Sequence, residues 1–589
     1  MKQELEQTVA TAVKELFGID VQVELARPDE QFGDYATNMA LQLAKQVGKN
    51  PREIAEALRD KLASNGQLQS VTVAGPGFLN LTLTDQALAE SLRAMPAKTL
   101  AGKKVLVEYS DPNPLKPLHA GHLYTTLVGD TIARLIENAG AETIRLNYGG
   151  DVGRHIGISL WAIIHELGGE YPEKLSEIPE ADRPAWLGAR YVEGTAAFED
   201  DEHAKQEITE LNKRVYQLQA DGDHESPFAQ IYWTVRGWSY DYFKTLYDQL
   251  QVHPFDRFIP ESEVFELGLS TVREQLAKGV YAESQGAVIF EGEHYGLHTR
   301  VFINSAGLPT YETKDVGLLL RKWDDYHFDE SIVITANEQA QYYEVMLKSV
   351  EQYAPEPVGR SKHLTHGIVK LQGGVKMSSR RGNIVTALEI LDAARAAGKE
   401  TGTDPSEDTI LAAVKYAFAK NRIGGDIAYD PKESIALEGN SGPYLQYAHA
   451  RARSILARAS ESPHPTGDQL RSDAHVPVVR SASVLAAHPV SHGATEALNG
   501  GNLEAGERSL LRKITEYSEV VEKATSELMP HHICTYLYEL AQTFNSFYEH
   551  NRVIGSGERE AVRLKLVENY ADTLKNGLTL LGITAPERM

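Results

Sequence analysis

Two histidines stand at the end of a proline-rich turn that follows the first strongly apolar run of a predicted sheet. The turn, DPNPLKPLHAGHL, lies between the predicted strand KVLVEYS and a predicted helix from about Gly121 to Asn138. Ligands of open α/β sheets bind at such a junction, because a helix N-terminus offers unpaired N–H groups and partial positive charge. His119 and His122 can donate hydrogen bonds to phosphate oxygens, and Gly121 lets a nucleotide approach the backbone closely. The segment predicts a nucleotide site.

Two other interpretations of this histidine pair compete with the nucleotide site. Histidines three residues apart are more often surface residues or hydrogen-bonded core residues, and H-x-G-H is a frequent chance pattern. The strand–turn–helix context, with proline and asparagine close by, favours the nucleotide site. A metal site is the weaker alternative, because no third ligand stands at a recognisable spacing.

A second candidate segment, GGVKMSSRRGN, combines glycines, hydroxyls and a cluster of cations. Lys376, Arg380 and Arg381 can clamp a triphosphate from a loop, and the hydroxyls of Ser378 and Ser379 can add hydrogen bonds. For such a run taken alone, a solvated basic loop is the more frequent explanation. Its occurrence together with the histidine turn favours phosphate binding.

The elements that must position these segments form a multidomain α/β plus all-α protein. KVLVEYS, the helix to Asn138 and TIRLNYG predict a strand–helix–strand unit of a Rossmann-type parallel sheet. A helical, acidic insertion is expected over about 160–295, after which AVIFEG, RVFINSAG and SIVITAN are expected to resume the sheet, with a helix over Tyr311–Trp323. From about Asp430 the pattern predicts a helical domain.

A small α/β domain is expected before the sheet. A helix closes at Gly18, IDVQVEL alternates like a strand, and a second helix is expected near Ala36–Lys45. Asn50 and Pro51 predict a helix start, and SVTVAGPGFLNLTLT predicts two strands. The expected domains are 1–100, 101–429 and 430–589.

Composition bounds the function classes. A formal net charge of −23 in 589 residues excludes binding of nucleic acid by overall positive potential, so DNA is not an expected partner, although local basic surfaces can bind RNA. A single cysteine, Cys534, excludes an intramolecular disulfide and a thiolate-rich zinc site. The N-terminus does not resemble a signal peptide, and no apolar run is long enough to span a membrane. We expect a cytoplasmic protein without zinc or an organic cofactor.

The two segments resemble the signatures of class I aminoacyl-tRNA synthetases. His119-Ala120-Gly121-His122 matches the HIGH signature, and Lys376-Met377-Ser378-Ser379-Arg380 matches KMSKS, with Ser379 and Arg380 where the family usually has lysine and then serine. In the arginyl branch that lysine is commonly absent, and a lysine just upstream of HIGH is thought to compensate. Lys116 occupies that place, so the resemblance implies that Lys116 contacts the phosphates; whether Lys116 or Arg380 replaces the missing lysine stays open.

The resemblance to the arginyl branch extends along essentially the whole chain. FGDYATNMAL and GPGFLN resemble its N-terminal tRNA-contacting domain, which implies an RNA contact at Asn38. NYGGDVGRHIG follows HIGH, and GPYLQYAHAR, LAQTFNSFYEHNRV and LLGITAPERM resemble its helical anticodon-binding domain. In that region Tyr444, Tyr447 and Arg451 interleave aromatic rings with a cation, which suits stacking on unpaired bases. For each residue separately, a structural role is at least as frequent.

A guanidinium needs carboxylates that meet its planar fork and an aromatic or amide group beside it. Tyr311 and Asp315 are four apart on a predicted helix that Thr310 can cap, which puts both on one face. An exposed helix face is an equally good explanation from spacing alone. The resemblance implies that this pair binds arginine, that Glu108 and Asn113 hold its other polar groups, and that Gln339 lines the pocket.

The resemblance also implies the reaction and the partners. ATP with Mg²⁺ activates L-arginine to arginyl-adenylate, and the amino acid is then transferred to the terminal adenosine of tRNA(Arg), with AMP and pyrophosphate as the other products. Arginyl enzymes generally need bound tRNA for activation, and they are usually monomers. Two rivals remain: another nucleotide-transferring enzyme with H-x-G-H, such as a different class I synthetase, or a non-catalytic tRNA-binding protein. The first leaves Tyr311 and Asp315 without a role, and the second leaves both histidines and Lys376 without one.

Overall fold

The computed structural model describes residues 1–372, 385–400, 404–461 and 502–589. Five predicted phosphate contacts lie outside these ranges: Lys376, Ser378, Ser379, Arg380 and Arg381. Within the described ranges, no helix is both long and apolar enough to cross a bilayer.

The N-terminal unit packs helices against a three-stranded antiparallel sheet of order β1-β3-β2. The Asn50 side chain accepts a hydrogen bond from the backbone N–H of Arg52 at 2.9 Å, which confirms the predicted helix start. Two expectations were wrong. IDVQVEL forms no strand, and the second helix begins at Met39 because Tyr35–Thr37 pair with β3. The elements are α1 Lys2–Phe17, β1 Tyr35–Thr37, α2 Met39–Val47, α3 Pro51–Leu62, β2 Leu68–Ala74, β3 Phe78–Leu83 and α4 Asp85–Glu90.

The central sheet has five parallel strands in the order β11-β10-β4-β5-β6. Its strands are β4 Lys104–Glu108, β5 Glu142–Gly149, β6 Arg257–Pro260, β10 Glu330–Ala336 and β11 Ser361–His366. The chain builds outward from β4 through β5 to β6 and returns to β4 on its other side with β10. The strand order therefore reverses beside the carboxyl end of β4, the place where ligands bind in open α/β sheets. This arrangement confirms the Rossmann-type parallel sheet.

Helices and one small sheet surround these strands. The helices in order are α5 Ala120–Asn138, α6 Arg154–Leu167, α7 Arg183–Asp200, α8 Glu202–Asp221, α9 Pro227–Gln249, α10 Glu261–Ala277, α11 Tyr311–Tyr326, α12 Ala340–Glu351 and α13 Pro355–Gly359. The small sheet comprises β7 Ala282–Ser284, β8 Ala287–Phe290 and β9 Arg300–Ile303.

The small sheet corrects one expectation. AVIFEG and RVFINSAG do not join the parallel sheet, because β8 pairs antiparallel with both β7 and β9. The turn between β7 and β8 has positive φ at Gln285 (48°) and Gly286 (78°), the geometry of a two-residue hairpin. Only SIVITAN resumes the parallel sheet as expected, and β6, which lies in the span expected to be an insertion, belongs to it as well.

The rest of the described chain is mainly helical. Its elements are β12 Val369–Leu371, α14 Ala387–Glu400, α15 Glu407–Ala419, β13 Ile427–Tyr429, α16 Pro431–Ile435, α17 Gly442–Glu461, α18 Ala505–Thr515, α19 Tyr517–Glu527, α20 His531–His550 and α21 Glu560–Leu580. The described residues after Asp430 contain helices and no strand, which agrees with the predicted helical domain.

The N-terminal unit and the C-terminal helices share one apolar core. Leu58 and Leu81 belong to the same buried cluster as Leu540 and Tyr570, while two further clusters cover the faces of the central sheet. Buried charge reinforces this contact: Asp34, 1% exposed, accepts a hydrogen bond from Arg508 at 2.7 Å and lies 3.5 Å from Arg512 Nε. Arg27 also pairs with Glu519 at 2.7 Å. The two ends of the chain therefore fold as one packed unit.

Candidate functional site

His119 and His122 lie at the N-terminus of α5, and each uses its Nδ1 to cap the first turn of the helix. The Nδ1 atom of His119 accepts from the backbone N–H groups of Gly121 (3.1 Å) and His122 (3.3 Å). The backbone N–H of His119 donates in turn to Nδ1 of His122 at 3.3 Å. This reciprocal capping leaves the proton of each neutral ring on Nε2.

The two rings are stacked, with centroids 3.6 Å apart. Burial and, to a lesser extent, the nearby Lys116 lower the pKa of His119 to about 4. Burial also holds the pKa of His122 well below its usual range, with the neighbouring His119 as a second cause. Both rings are neutral near pH 7 and present Nε2–H donors, which suits stabilisation of a phosphate oxygen.

The loop between β4 and α5 has a constrained backbone. Three non-glycine residues have positive φ, namely Ser110 (77°), Asp111 (48°) and Leu115 (66°). Such conformations persist only where neighbouring groups hold them, and they occur often at functional sites. The Oγ of Ser110 is 2.8 Å from the hydroxyl of Tyr247, and the backbone N–H of Leu115 donates to Ser239 at 3.0 Å.

Two side chains of the same loop bind the end of β5. Asp111 Oδ1 accepts from the backbone N–H of Tyr148 at 2.7 Å, and Asn113 Oδ1 accepts from that of Gly150 at 3.0 Å. His155 donates from Nε2 to the Gly150 carbonyl at 2.6 Å. The loop is therefore held by groups on the neighbouring strand and on α6.

Residues 385–387 lie beside the histidines. The backbone N–H of Ala120 donates to the Val385 carbonyl at 2.7 Å, and the N–H of Ala387 donates to the Leu118 carbonyl at 2.9 Å. Residues 385–387 are thus paired with the start of α5.

Lys116 lies in the same loop, within electrostatic reach of the histidines. Burial lowers its pKa, while Glu261 and Glu338 oppose that change. Its charge in turn contributes to the low pKa values of His119, His122 and His155. The structure therefore gathers Lys116 and both histidines into one region.

Buried carboxylates line the adjacent part of the sheet edge, and two of them have lysine partners. Glu108, at the end of β4, accepts from Lys322 at 2.7 Å, with both side chains at most 4% exposed. Glu261 accepts from Lys314 at 2.5 Å in an equally buried pair. Each lysine neutralises one carboxylate.

Asp315 lies beside these pairs without a cation of its own. It is 6% exposed and forms no ion pair within the described part of the chain. Burial, with the charge of Glu108 as the second cause, raises its pKa to about 8, and a hydrogen bond from Tyr342 opposes that rise. The Tyr342 hydroxyl is also 3.4 Å from Oε1 of Gln339, which brings the predicted glutamine close to the predicted aspartate.

Tyr311 and Asp315 lie in the first turns of α11, as predicted, but their environments differ. Tyr311 is 55% exposed, and Lys314 Nζ lies 4.4 Å from its ring centroid, whereas Asp315 is buried. The expected cap was wrong: Thr310 occupies the N-cap position but donates its hydroxyl proton to the Val301 and Phe302 carbonyls instead of accepting from the helix. These bonds attach the start of the helix to β9.

Three residues of this site were not singled out from the sequence. Lys322 is seven residues after Asp315, so helical spacing places both on one face, and a lysine there could have been noticed. Asp111 begins the turn that carries the histidines. The hydroxyl of Tyr148 is buried without a hydrogen-bond partner in the described structure, and Asp315, Glu261 and Glu108 all influence its ionisation. No local pattern marks that tyrosine.

The residues with a predicted RNA contact lie far from this pocket in the chain. Asn38 is exposed at the start of α2, and its Oδ1 accepts from Gln42 at 2.9 Å. On α17, Tyr447 is 46% exposed, Arg451 lies 4.8 Å from the ring centroid of Tyr548, and Tyr444 accepts from Asn545 at 2.9 Å.

Two further polar residues of α17 are used internally. His449 is fully buried and donates from Nδ1 to the Pro586 carbonyl at 2.8 Å. Arg453 pairs with Asp572 at 2.7 Å and donates to His449. These two side chains bind the C-terminal segment.

Three family models match the chain in succession. The model described as arginyl tRNA synthetase N terminal domain matches residues 2–83, tRNA synthetases class I (R), catalytic domain, matches residues 84–429, and DALR anticodon binding domain matches residues 445–589.

Individual relatives agree with these models. The chain is 31% identical to an arginine–tRNA ligase of Synechococcus elongatus, over 95% of this chain and 94% of the relative. It is 29% identical to one of Porphyromonas gingivalis, over 100% of this chain and 99% of the relative. Among solved structures, the Thermus thermophilus arginyl-tRNA synthetase superposes with a TM-score of 0.74 and 26% identity, and each chain is covered fully.

Proposed function

The chain belongs to the class I arginyl-tRNA synthetase family and is an arginine–tRNA ligase, and from this premise we propose which of its residues bind each substrate. The carboxylate of arginine attacks the α-phosphorus of ATP, which enters as its Mg²⁺ complex. This step gives arginyl-adenylate and pyrophosphate. A ribose hydroxyl of the terminal adenosine of tRNA(Arg) then displaces AMP. Positioning and charge stabilisation carry both steps, so no protein nucleophile is needed.

Asp315 binds the guanidinium of arginine in this proposal, and its burial without a cation is the observation that carries the assignment. Glu108 and Glu261 already have lysines, whereas Asp315 in its ionised form has no counter-charge within the described chain. A guanidinium restores neutrality and donates in a planar fork that a carboxylate matches. Tyr311 packs beside the guanidinium at the solvent-exposed side of the pocket. Gln339 lies close to Asp315 because both contact the Tyr342 hydroxyl.

Glu108 and Asn113 complete the arginine pocket. Asn113 uses Oδ1 on Gly150, which leaves its amide N–H groups as donors for the substrate. Glu108 accepts a hydrogen bond from Lys322, and its charge adds to the negative potential at Asp315 that favours a cationic ligand.

His119, Gly121 and His122 bind the phosphates of ATP. Two neutral rings with Nε2–H donors at a helix N-terminus can stabilise the charge that develops on oxygen without having to lose a proton. Lys116 adds a positive charge within reach of the same region. We retain Lys376, Ser378, Ser379 and Arg380 as further phosphate contacts on the strength of the KMSKS resemblance.

The tRNA contacts lie at both ends of the chain. Asn38 is exposed next to the half-exposed Phe78, since Thr37 pairs with Leu79 in the β1–β3 register. A polar side chain beside an aromatic face suits an unpaired base. On α17, Tyr447 and Arg451, with Tyr444 beside them, face the anticodon. We also propose domain limits at 1–100, 101–429 and 430–589, a monomeric state, and a cytoplasmic location.

One experiment tests substrate and reaction together. Amino-acid-dependent exchange of pyrophosphate into ATP is measured for all twenty amino acids, with and without bulk tRNA. We expect exchange with arginine alone, and only when tRNA is present. Exchange with a different amino acid would overturn the pocket assignment, and exchange without tRNA would overturn the proposed tRNA dependence.

A second experiment separates Lys116 from Arg380. Lys116→Ala is expected to slow adenylate formation while arginine affinity stays within about twofold, because the lysine contacts phosphate rather than amino acid. If Lys116→Ala keeps the wild-type rate and Arg380→Ala does not, the role belongs to Arg380.

A further inference from the structure

The carboxylates and lysines at the sheet edge are unequal in number. Four carboxylates, those of Glu108, Asp111, Glu261 and Asp315, influence one another's ionisation or that of a shared neighbour. Two lysines are each bonded to one of them, Lys322 to Glu108 and Lys314 to Glu261. Within the described chain, Asp111 and Asp315 are left without an ion pair.

The substrate has two cationic groups, as many as the site has carboxylates without an ion pair. L-arginine carries two cationic groups near pH 7, its guanidinium and its α-ammonium, and its carboxylate is the attacking group. If Asp315 takes the guanidinium, one cation of the substrate and one carboxylate of the site remain. Burying either charge alone is costly, so the two satisfy each other.

We propose that Asp111 binds the α-ammonium group of the arginine substrate and so is a specificity-determining residue. This assignment rests on the proposed pocket around Asp315. Asp111 Oδ1 accepts from the Tyr148 backbone N–H at 2.7 Å, while Oδ2 has no partner among the described residues. Asp111 has a left-handed φ of 48°, and this backbone conformation sets the direction of its side chain.

The positions of Asp111 and Asp315 in the chain indicate which of them binds the α-ammonium and which binds the guanidinium. Asp111 and His119 belong to the same loop between β4 and α5, so Asp111 is on the phosphate side of the site. The α-ammonium is bonded to the carbon that carries the attacking carboxylate and must lie near the phosphates. Asp315 lies on α11, a different element from the loop that carries the histidines, and is influenced by Glu261 and Lys314, so we assign it the guanidinium end.

Tyr148 connects the two ends of the pocket. Its backbone N–H holds Asp111, and its buried hydroxyl, which has no hydrogen-bond partner in the described structure, is influenced by Asp315, Glu261 and Glu108. A guanidinium N–H donated to this hydroxyl would satisfy it. The same residue therefore fixes one carboxylate and presents an unused acceptor beside the other.

The test compares two ligands that differ only in the amine. L-arginine and 5-guanidinopentanoic acid, which lacks the α-amino group, are titrated calorimetrically into the full-length protein in the presence of tRNA. Wild type should bind arginine roughly 10- to 100-fold more tightly, the usual effect of one charged hydrogen-bonded pair. Asp111→Asn, which keeps an oxygen for the Tyr148 N–H, should lose that preference and bind the deamino acid within about twofold of wild type.

Other outcomes separate this inference from the pocket on which it rests. Equal weakening of both ligands by Asp111→Asn, or no weakening of either, would overturn the α-ammonium assignment. Asp315→Asn should weaken both ligands by a similar factor; if it weakens neither, the guanidinium pocket is wrong, whatever Asp111→Asn shows.

Proton release on binding can be measured on the wild-type protein, so this test does not depend on whether a variant folds. Burial and the charge of Glu108 hold the pKa of Asp111 well above its usual range, so a cation bound to Asp111 should promote loss of its proton. Titrations at pH 7 in buffers of different ionisation enthalpy should show more protons released on binding arginine than on binding the deamino acid. Equal release for the two ligands would overturn the proposal.

Discussion

The backbone N–H of His119 donates to Nδ1 of His122, and Nδ1 of His119 accepts from the backbone N–H of His122. Each imidazole thus has a structural atom and a free atom. Nδ1 stabilises the start of α5, and Nε2–H is left to donate to a ligand. The HIGH signature therefore caps a helix, and in the function proposed above its two free Nε2–H groups are the phosphate donors.

Substitution of His119 can separate these two roles. His119→Asn keeps a good N-cap residue and removes the Nε2–H donor, so adenylate formation should slow by roughly 10²- to 10³-fold. The free energy of unfolding should change by less than about 1 kcal/mol. Pre-steady-state pyrophosphate release and urea unfolding measure the two effects.

His119→Ala provides the comparison, because it removes the cap as well and should cost a further ~0.5–2 kcal/mol of stability. An asparagine variant with the wild-type rate would show that the Nε2 proton is not used in the reaction.

The affinity for arginine should depend on pH through Asp315. Its pKa is raised to about 8, so without substrate the protonated form predominates below that pH, and a guanidinium binds the ionised form. Binding therefore releases a proton, and the KM for arginine should fall as pH rises, approaching tenfold per unit below pH 8 and levelling off above it. Steady-state kinetics between pH 6 and 9 measure this slope, with the KM for ATP as an internal reference.

Asp315→Asn should raise the KM for arginine at every pH and abolish most of this slope, with little change in the KM for ATP. A variant that retains the wild-type slope would assign the titration to another group.

The buried pair of Lys322 and Glu108 should be costly to break from one side. Lys322→Met leaves the Glu108 carboxylate buried without a counter-charge, and such single removals typically cost about 3–5 kcal/mol. The double variant Lys322→Met with Glu108→Gln removes both charges and should regain part of this loss. Urea unfolding of the wild type and the two variants measures the difference, and equal stability of the single and double variants would contradict the pairing.

Asp34 should contribute strongly to the contact between the N-terminal unit and the C-terminal helices. Asp34→Asn removes the charge that Arg508 and Arg512 approach in a site only 1% exposed, and we expect a loss on the order of 3 kcal/mol. Asp20→Asn is the matched control: Asp20 pairs with Lys14 on the surface and its side chain is 81% exposed, so little change in melting temperature is expected. Similar melting temperatures for the two variants would show that Asp34 does not support the contact.

The elements that were predicted well from the sequence are those marked by residues within or next to the element itself. The helix after Asn50 has a capping residue followed by proline, and α5 has a continuous apolar face, so both were predicted nearly to the residue. IDVQVEL alternates but does not pair: Val23 and Leu25 are buried, and the backbone N–H of Leu25 donates to the Glu6 side chain instead of a neighbouring strand. Alternation of apolar and polar residues indicates that one side of a segment is buried. Whether the segment pairs as a β-strand depends on which other segment lies beside it in the fold.

The site shows the same limit. Spacing places Asp315 and Lys322 on one face of α11, but it cannot say that Lys322 would bond to Glu108, which is 214 residues earlier in the chain. The tautomers of the two histidines and the unpaired state of Asp111 likewise depend on contacts that only the folded chain brings together.

The shared core of the N-terminal unit and the C-terminal helices has a consequence for recognition. Because Leu81 and Leu540 belong to one apolar cluster and Asp34 bonds across it, Asn38 and Tyr447 project from a single rigid block. The spacing between these two positions is set by the protein alone, before any RNA arrives. In the function proposed above both residues contact the tRNA, so an RNA whose two contact points lie too near together or too far apart would reach only one of them, whatever its bases.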